Sequence, residues 1–452
     1  MRRELGLVQA TALAITDMIG IGPFITIPLF LATMNGPQAM LGWLVGAGLA
    51  LCDGLVWAEL GAAMPKAGGS YNYLREAFGP RSAGRWLSFL MVWQIMFSAP
   101  LSVASGAIGF ANYFHYLVPS LTDRDVHLGA AAIPLVLVIL LYRRIRAVGN
   151  LSVVLLAGVL LGCFWIVGSG LPHWSAARVF DFPAGAFRQN WAFWAGLGSA
   201  TLYALYDYFG YYNVCYLGEE IRDPGRVIPR AILFSIGAVA ALYILMNSSI
   251  LSVIPWREAR HSPFIASTYM ERLYGAGAGN LMTLLMLWIA FSSVFSVLLG
   301  YSRIPYAAAT DGNFFRVFAR LHPQGDFPYV SLLALGLAAS VFSLGHLPEV
   351  IGSLVATRIL VQYLPQTIGF FLLRFRQPDL PRPFRMWFYP VPGLVSILGW
   401  LYILATSARR SLAFALAVLV LGTVTYLVRA RLRREWPFAG RWHVVGGGQV
   451  GQ

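Results

Sequence analysis

Four carboxylates stand inside otherwise apolar stretches of the sequence: Asp17, Asp53, Glu59 and Asp207. A charge at mid-bilayer depth costs on the order of a few kcal/mol on insertion scales, so such groups are paired or functional. Asp207 lies in the densest cluster, Tyr203-Ala204-Leu205-Tyr206-Asp207-Tyr208-Phe209-Gly210-Tyr211-Tyr212-Asn213. That run is too polar and aromatic for a helix facing lipid. A carboxyl there can take up a proton or face a cationic amine. The competing reading is an aromatic packing stripe in which a neighbour hydrogen-bonds Asp207. Asp17 precedes Gly20 by about one helical turn. It could accept freed backbone amides or contribute to ion coupling. For Asp53 the structural and functional readings both stay open. Glu59 reads as a structural or gating pair, with an arginine of the basic loop that follows it as the expected partner. Arg358, inside a later apolar stretch, would either pair with one of these carboxylates in a gate or line a water-filled vestibule.

Two stretches combine such residues with helix-breaking backbone. Ile19-Gly20-Ile21-Gly22-Pro23 loosens a helix with two glycines, and its proline removes a donor and crowds the preceding turn. By itself this fits a kinked packing helix. The second break is the Asp207 run. The two fall in the first and sixth apolar spans, so an odd number of spans relates them and their orientations are opposite. Interrupted helices at matching positions of inverted halves point to a solute site at the midplane. Freed amides at a positive helix end suit a carboxylate. Freed carbonyls suit an ammonium group, and one amino-acid backbone would use both.

The elements that must position these groups follow from composition. Of 452 residues, 58% are hydrophobic and only 12% charged, about half the charged share of a soluble domain. Lipid in place of water is the physical reading. About twelve spans are expected, at 9–33, 38–64, 85–114, 128–142, 148–170, 190–218, 230–254, 279–311, 329–346, 348–375, 388–406 and 410–430. The eighth is long enough to run past the bilayer as a helix. The net charge of +14 would suggest nucleic acid in a soluble chain. Here arginine, with Lys66 the only lysine, concentrates in alternate loops: Arg2/Arg3, Lys66/Arg75/Arg81/Arg85, Arg143/Arg144/Arg146, Arg222/Arg226/Arg230, Arg303/Arg316/Arg320, Arg374 to Arg385, and Arg429 to Arg441. This pattern predicts an integral plasma (inner) membrane protein with both termini cytoplasmic. No water-soluble domain fits between the spans. No cleavable leader is expected, because the first apolar run is long and contains Asp17. Cys52, Cys163 and Cys215 all lie in apolar runs and read as small buried hydrophobes, with no disulfide framework and no metal spacing.

At the first break and in three further motifs the sequence resembles the amino acid–polyamine–organocation (APC) superfamily of permeases, over about residues 6–375. Within it the chain is similar to bacterial amino acid permeases related to the L-type light-chain transporters. Met18-Ile19-Gly20-Ile21-Gly22-Pro23-Phe24 is similar to the glycine-rich first-helix motif. Trp57-Ala58-Glu59-Leu60-Gly61 with Pro65-Lys66-Ala67-Gly68-Gly69-Ser70-Tyr71 matches the second helix and first loop. Gly218-Glu219-Glu220-Ile221-Arg222-Asp223-Pro224 with Ile228-Pro229-Arg230-Ala231 matches the stretch after the sixth helix, and Gly300 to Ala309 through Asp311-Gly312 the end of the eighth.

The resemblance implies an all-α polytopic membrane protein with the leucine-transporter fold. Residues 1–175 and 188–376 would form two inverted five-helix repeats, 386–434 two extra helices and 435–452 a cytoplasmic tail. It implies alternating access around a central site. Ile19, Gly20, Ile21 and Gly22 would hold a substrate carboxylate through backbone. Tyr206, Asp207, Tyr208, Gly210 and Tyr211 would hold the amine and shape the side-chain pocket. Ser292 and Ser293 occupy the region that helps ligate sodium in some relatives, although serine is also an ordinary packing residue between membrane helices. Three departures stand out. The sixth-span break carries Asp207 among tyrosines instead of small residues. The 148–170 span lacks the lysine that replaces sodium in some proton-coupled relatives. The 115–127 loop has no cysteine, so no disulfide-linked heavy chain is expected.

The expected function is therefore secondary transport of an amino acid, with uniport, proton symport and exchange all open, and with no prosthetic cofactor and no metal. A carrier of polyamines or other organic cations is the nearest alternative, favoured by Asp207 and its tyrosines. A non-transporting sensor and a channel remain open. A membrane-embedded enzyme lacks chemistry: the histidines are scattered, and neither HExxH nor GxSxG occurs.

Overall fold

A computed structural model of the chain describes residues 5–66, 68–142, 148–325 and 327–438, with 148–156 as backbone only. The basic groups Arg2/Arg3 and Arg143/Arg144/Arg146, and the tail beyond 438, lie outside the described residues, as does Ala67 of the first-loop motif.

Apolar runs become helices wherever length permits, because a backbone in lipid must satisfy its own hydrogen bonds. In chain order these are α1 (Leu7–Met18), α2 (Gly22–Met34), α3 (Leu41–Ala63), α4 (Ser70–Ala77), α5 (Ala83–Leu117), α6 (Asp123–Leu141), α7 (Val148–Gly170), the single turn α8 (Ala176–Val179) and α9 (Trp191–Tyr208). They continue with α10 (Pro224–Val253), the turn α11 (Trp256–Ala259), α12 (Ile265–Tyr274), α13 (Ala276–Tyr301), α14 (Arg303–Thr310), α15 (Tyr329–Phe342), α16 (Leu347–Arg358), α17 (Leu364–Arg376), α18 (Val391–Thr406) and α19 (Arg409–Arg433). Among the described residues, seven helical spans are long and apolar enough to cross a membrane, and eight when α1 and α2 count as one bent span. Shorter apolar helices lie at Ala157–His173, Tyr329–Phe342 and Val391–Thr406. The chain is an all-α polytopic membrane protein.

Local chemistry sets the ends. Thr122 and Asp125 cap α6 reciprocally: the Asp125 amide donates to Thr122 Oγ1 at 3.3 Å and the Thr122 amide to Asp125 Oδ2 at 2.9 Å. Asn190 Oδ1 accepts from the Phe193 amide at 2.9 Å and starts α9. As expected for the eighth span, Ala276–Thr310 forms 35 residues of nearly continuous helix, α13 and α14, about 50 Å at 1.5 Å per residue and longer than the bilayer core.

Both anticipated breaks are present. α1 and α2 meet at Ile19–Ile21 with a bend of 50°. α9 ends at Tyr208, and the chain resumes as a 3₁₀ segment, Asn213–Glu220. The 190–218 span, expected to be interrupted, is thus α-helical up to Tyr208 and 3₁₀-helical from Asn213. A third irregularity has no glycine to announce it. The expected 348–375 span contains a π-helical turn at Ile359–Tyr363, immediately after Arg358; such turns recur at functional sites.

Packing gathers the broken elements. α1 lies on α10, α2 on α9, and α3 on both α9 and α10. α5 spans the middle against α13, α15 and α16. Glycines permit the closest crossings: a Cβ on Gly42 would meet Ala200, and one on Gly106 would meet Val294. The chain entering α1 is also clasped to the chain leaving the second break. The Leu5 amide donates to Glu220 O at 3.0 Å and the Arg222 amide to Leu5 O at 2.9 Å.

Candidate functional site

The two breaks face each other across a cavity of about 730 Å³, within the range of small-molecule sites. Its wall includes Asp17, Met18, Ile19, Gly20, Ile21 and Gly22 from the first break, and Tyr206, Asp207, Phe209, Gly210, Tyr212 and Asn213 from the second. Ser102 and Gly106 of α5, Ser292, Ser293 and Ser296 of α13, and Arg358 complete it. From the breaks it widens past Gly68, Asn72, Arg303 and Asp311. Two of the four motifs that carry the family resemblance, the first-loop motif and the one ending the eighth span, therefore border its mouth, with the first-helix motif at its floor. At the other end Tyr113 closes the structure. Its hydroxyl donates to Phe24 O at 3.2 Å and accepts from the Ala266 amide at 3.4 Å, joining α5, α2 and α12.

Backbone fit explains the glycines. Gly210, at φ +130°, backs onto the Asp17–Met18 peptide, and a Cβ there would sit 2.7 Å from Asp17 O. A Cβ on Gly22 would collide with Asp207 Oδ1. The freed Ile21 amide donates to Ser293 Oγ at 3.2 Å. Ser293, not Asp17, thus accepts this amide, because α13 carries its hydroxyl directly beneath Gly20. Ser292 spends its hydroxyl within its own helix, on Trp288 O at 2.6 Å. Asp17 instead turns its side chain into the cavity, where it is exposed.

Asp207 is 2% exposed. Thr26 Oγ1 donates to its Oδ2 at 2.6 Å, and its Oδ1 has no hydrogen-bond partner among the described residues. Beneath it, the Tyr243 hydroxyl lies 2.9 Å from Met18 O and 3.2 Å from Asp207 O. One hydroxyl proton of α10 is thereby shared between the carbonyls that end α1 and α9. Tyr206 meets Ser105 of α5 at 2.7 Å, oxygen to oxygen.

The remaining tyrosines divide by direction. Tyr208 and Tyr211 are not in the cavity wall; both turn toward α3. Tyr208 packs edge-on against Trp43, and the Tyr211 hydroxyl donates to Asp53 Oδ2 at 2.6 Å. Asp53, 1% exposed, thereby anchors the second break from behind and does not face the cavity. Tyr212 stacks on Trp57 at 4.7 Å and accepts from Arg358 Nη1 at 2.9 Å. Arg358 Nη2 donates to the Tyr301 hydroxyl at 3.0 Å, and the guanidinium lies 5.5 Å from the Phe209 ring. Of the two readings of Arg358, pairing with a carboxylate or lining an open vestibule, its contacts match the second: it lines the cavity, and its hydrogen bonds go to the hydroxyls of Tyr212 and Tyr301.

Glu59 also differs from expectation in its partner. Arg374 grips it with two bonds, Nε to Oε1 at 2.8 Å and Nη2 to Oε2 at 2.6 Å. Arg382 Nε lies 3.3 Å from Oε1 and the Met386 amide donates at 2.7 Å to Oε2. The arginines come from α17 and the loop after it, not from the first loop, because α3 packs against α17 and α18. Glu59 is thus part of a structural clamp outside the cavity.

Sequence reasoning missed Thr26, Ser105, Tyr243, Tyr301 and the cavity-facing Asn213. Thr26 had a signal: it lies four residues after Gly22, on the same helical face. Tyr243 had a weaker one, a phenol in an apolar span that must find a partner.

A family model described as "Amino acid permease" matches residues 5–427. The chain is 26% identical over 402 residues to cationic amino acid transporter 4 of Mus musculus, covering 84% of this chain and 61% of that protein. It is 29% identical over 427 residues to Asc-type amino acid transporter 1 of Homo sapiens, covering 90% and 78%. With large neutral amino acids transporter small subunit 2 of Homo sapiens it shares 26% over 446 residues, covering 95% and 80%.

Proposed function

The chain belongs to the amino acid permease family, and on that premise we propose that it carries an amino acid across the membrane by alternating access. The observation that supports this most is the single cavity walled by both helix breaks, with Asp17 exposed in it and Asp207 Oδ1 unpartnered beside it. The backbone amides of Gly20 and Gly22, at the positive end of α2, are offered to the substrate carboxylate. The carbonyls that end α1 and α9, together with Asp17 and Asp207, offer the ammonium group its acceptors. Small walls at Gly106, Ser102 and Ser296 leave room for a side chain. In this reading residues 1–175 and 188–376 are inverted repeats, 386–434 add two helices, and 435–452 is a cytoplasmic tail. The cavity in this reading opens past Gly68, before α4, and Asp311, after α14, and is closed at Tyr113. With arginine-rich loops inside, that mouth is cytoplasmic and the membrane is the plasma (inner) membrane.

Proton coupling is assigned to Asp207, whose free oxygen borders both the cavity and α2. No disulfide-linked partner takes part. A second reading, an organic-cation or polyamine carrier of the same fold, is favoured by the two carboxylates at the breaks.

The test is uptake into proteoliposomes of labelled neutral, cationic and acidic amino acids and a polyamine, with and without an imposed proton gradient. Saturable uptake of an α-amino acid supports the proposal, and gradient dependence supports the coupling. Uptake of the polyamine alone moves the assignment to the second reading. Binding without flux refutes the carrier assignment altogether.

A further inference from the structure

The far end of α19 carries basic residues that neither the cavity nor the Glu59 clamp uses. There, Phe315, Arg316, Val424, Thr425, Val428, Arg429, Leu432 and Arg433 line an open groove of about 480 Å³. Val424, Val428 and Leu432 repeat every four residues and so share one face of α19. They are 52%, 56% and 80% exposed, and run for about 12 Å along the helix. A strongly exposed apolar stripe on a spanning helix faces lipid.

At the end of that stripe the surface turns cationic. Arg316 is exposed and has no carboxylate partner among the described residues. Arg433 Nη1 donates to Gly312 O at 3.2 Å, which leaves the rest of its fork outward. Arg429 is 7% exposed and held from behind. Its Nη1 reaches Asn313 O at 3.4 Å and Nη2 reaches Gly312 O, yet its Nε has no partner and it lines the groove. Among the described residues the carboxylate paired with the cluster is Glu435, 3.7 Å from Arg429 Nη1, and its other oxygen is already committed to Arg85 at 2.8 Å. Three guanidinium groups therefore converge with less than one carboxylate between them, at the polar end of a lipid-facing stripe.

We propose that this groove binds one anionic phospholipid, with its phosphate on Arg316, Arg429 and Arg433 and an acyl chain along Leu432, Val428 and Val424. Guanidinium forks match phosphate oxygens in geometry and charge, and basic pockets between spanning helices are the form such lipid sites take. A soluble anion would satisfy the arginines and leave the apolar stripe unexplained. An uncharged or zwitterionic lipid would satisfy the stripe and leave the cation cluster uncompensated. The assignment does not depend on which solute the central cavity carries.

Delipidated full-length protein titrated with phosphatidylglycerol or phosphatidylcholine of identical chains, followed by native mass spectrometry and thermal unfolding, tests this. One tightly held phosphatidylglycerol is expected, about tenfold preferred over phosphatidylcholine. The Arg316→Gln/Arg433→Gln variant should lose that preference, while Arg409→Gln, at the opposite end of α19, keeps it. Val428→Trp, which fills the groove without touching the charges, should weaken the bound lipid as well; it keeps the test decisive if the double variant folds poorly. Equal affinity for the two headgroups, or preference unchanged in the double variant, overturns the proposal. Protection by inorganic phosphate equal to that by phosphatidylglycerol also overturns it, by showing an anion site without a lipid.

Discussion

Thr26 Oγ1 donates a 2.6 Å hydrogen bond to Asp207 Oδ2, joining the second half of the first broken helix to the end of the first half of the second. Because α2 and α9 also pack together, this bond reports on whether the two breaks are in register. Asp207→Asn keeps the shape but removes the ionisable group. Uptake by the variant in proteoliposomes is expected to lose its dependence on an imposed pH gradient while exchange across the membrane persists. Unchanged gradient dependence would remove Asp207 from the coupling role. Thr26→Val, which deletes the donor alone, should change the pH profile of uptake without abolishing it.

Gly210 permits no side chain. At φ +130° it contacts the Asp17–Met18 peptide, and a Cβ would be forced to 2.7 Å from the carbonyl. Gly210→Ala adds backbone strain of about 1–3 kcal/mol and pushes the two breaks apart. Transport should fall by at least tenfold with the protein still folded by circular dichroism. An alanine variant with native kinetics would show that the breaks need not touch.

Ser293 satisfies the Ile21 amide at the floor of the cavity. Leaving such a group without its partner costs about 1–3 kcal/mol. Ser293→Ala is therefore expected to raise KM by roughly tenfold and to change kcat less. Ser292→Ala serves as the comparison, since that hydroxyl bonds only to its own helix, and it should leave KM near native.

Glu59 and Arg374 test the clamp. Removing one member of a buried, hydrogen-bonded pair costs about 3–5 kcal/mol because a charge is left uncompensated. The Glu59 side chain is 2% exposed and that of Arg374 20%. Each single alanine variant should unfold at lower temperature in detergent. The double variant should be less destabilised than the two singles summed, with a coupling of about 1–3 kcal/mol. Strict additivity would show that Arg382 and the Met386 amide hold Glu59 without Arg374.

Much of the architecture was legible in the sequence. Apolar run length predicts spanning helices because lipid leaves the backbone no alternative, and glycine with proline marks the first break for the same reason. Asp207 and its tyrosines mark the second by being too polar to face lipid. What sequence could not supply was direction. Tyr206 and Tyr212 face the cavity while Tyr208 and Tyr211 turn to α3, and no periodicity applies where the helix has ended at Tyr208. Partner choice was equally hidden. Glu59 takes arginines more than 300 residues away, Gly20 and Ile21 rest on Ser293 of α13, and Arg358 is held by Tyr212 and Tyr301. Side-chain chemistry and helix breaks are local properties, settled by a few neighbouring residues. Which charged or polar group satisfies which other depends on how distant helices cross, and only the tertiary structure decides that.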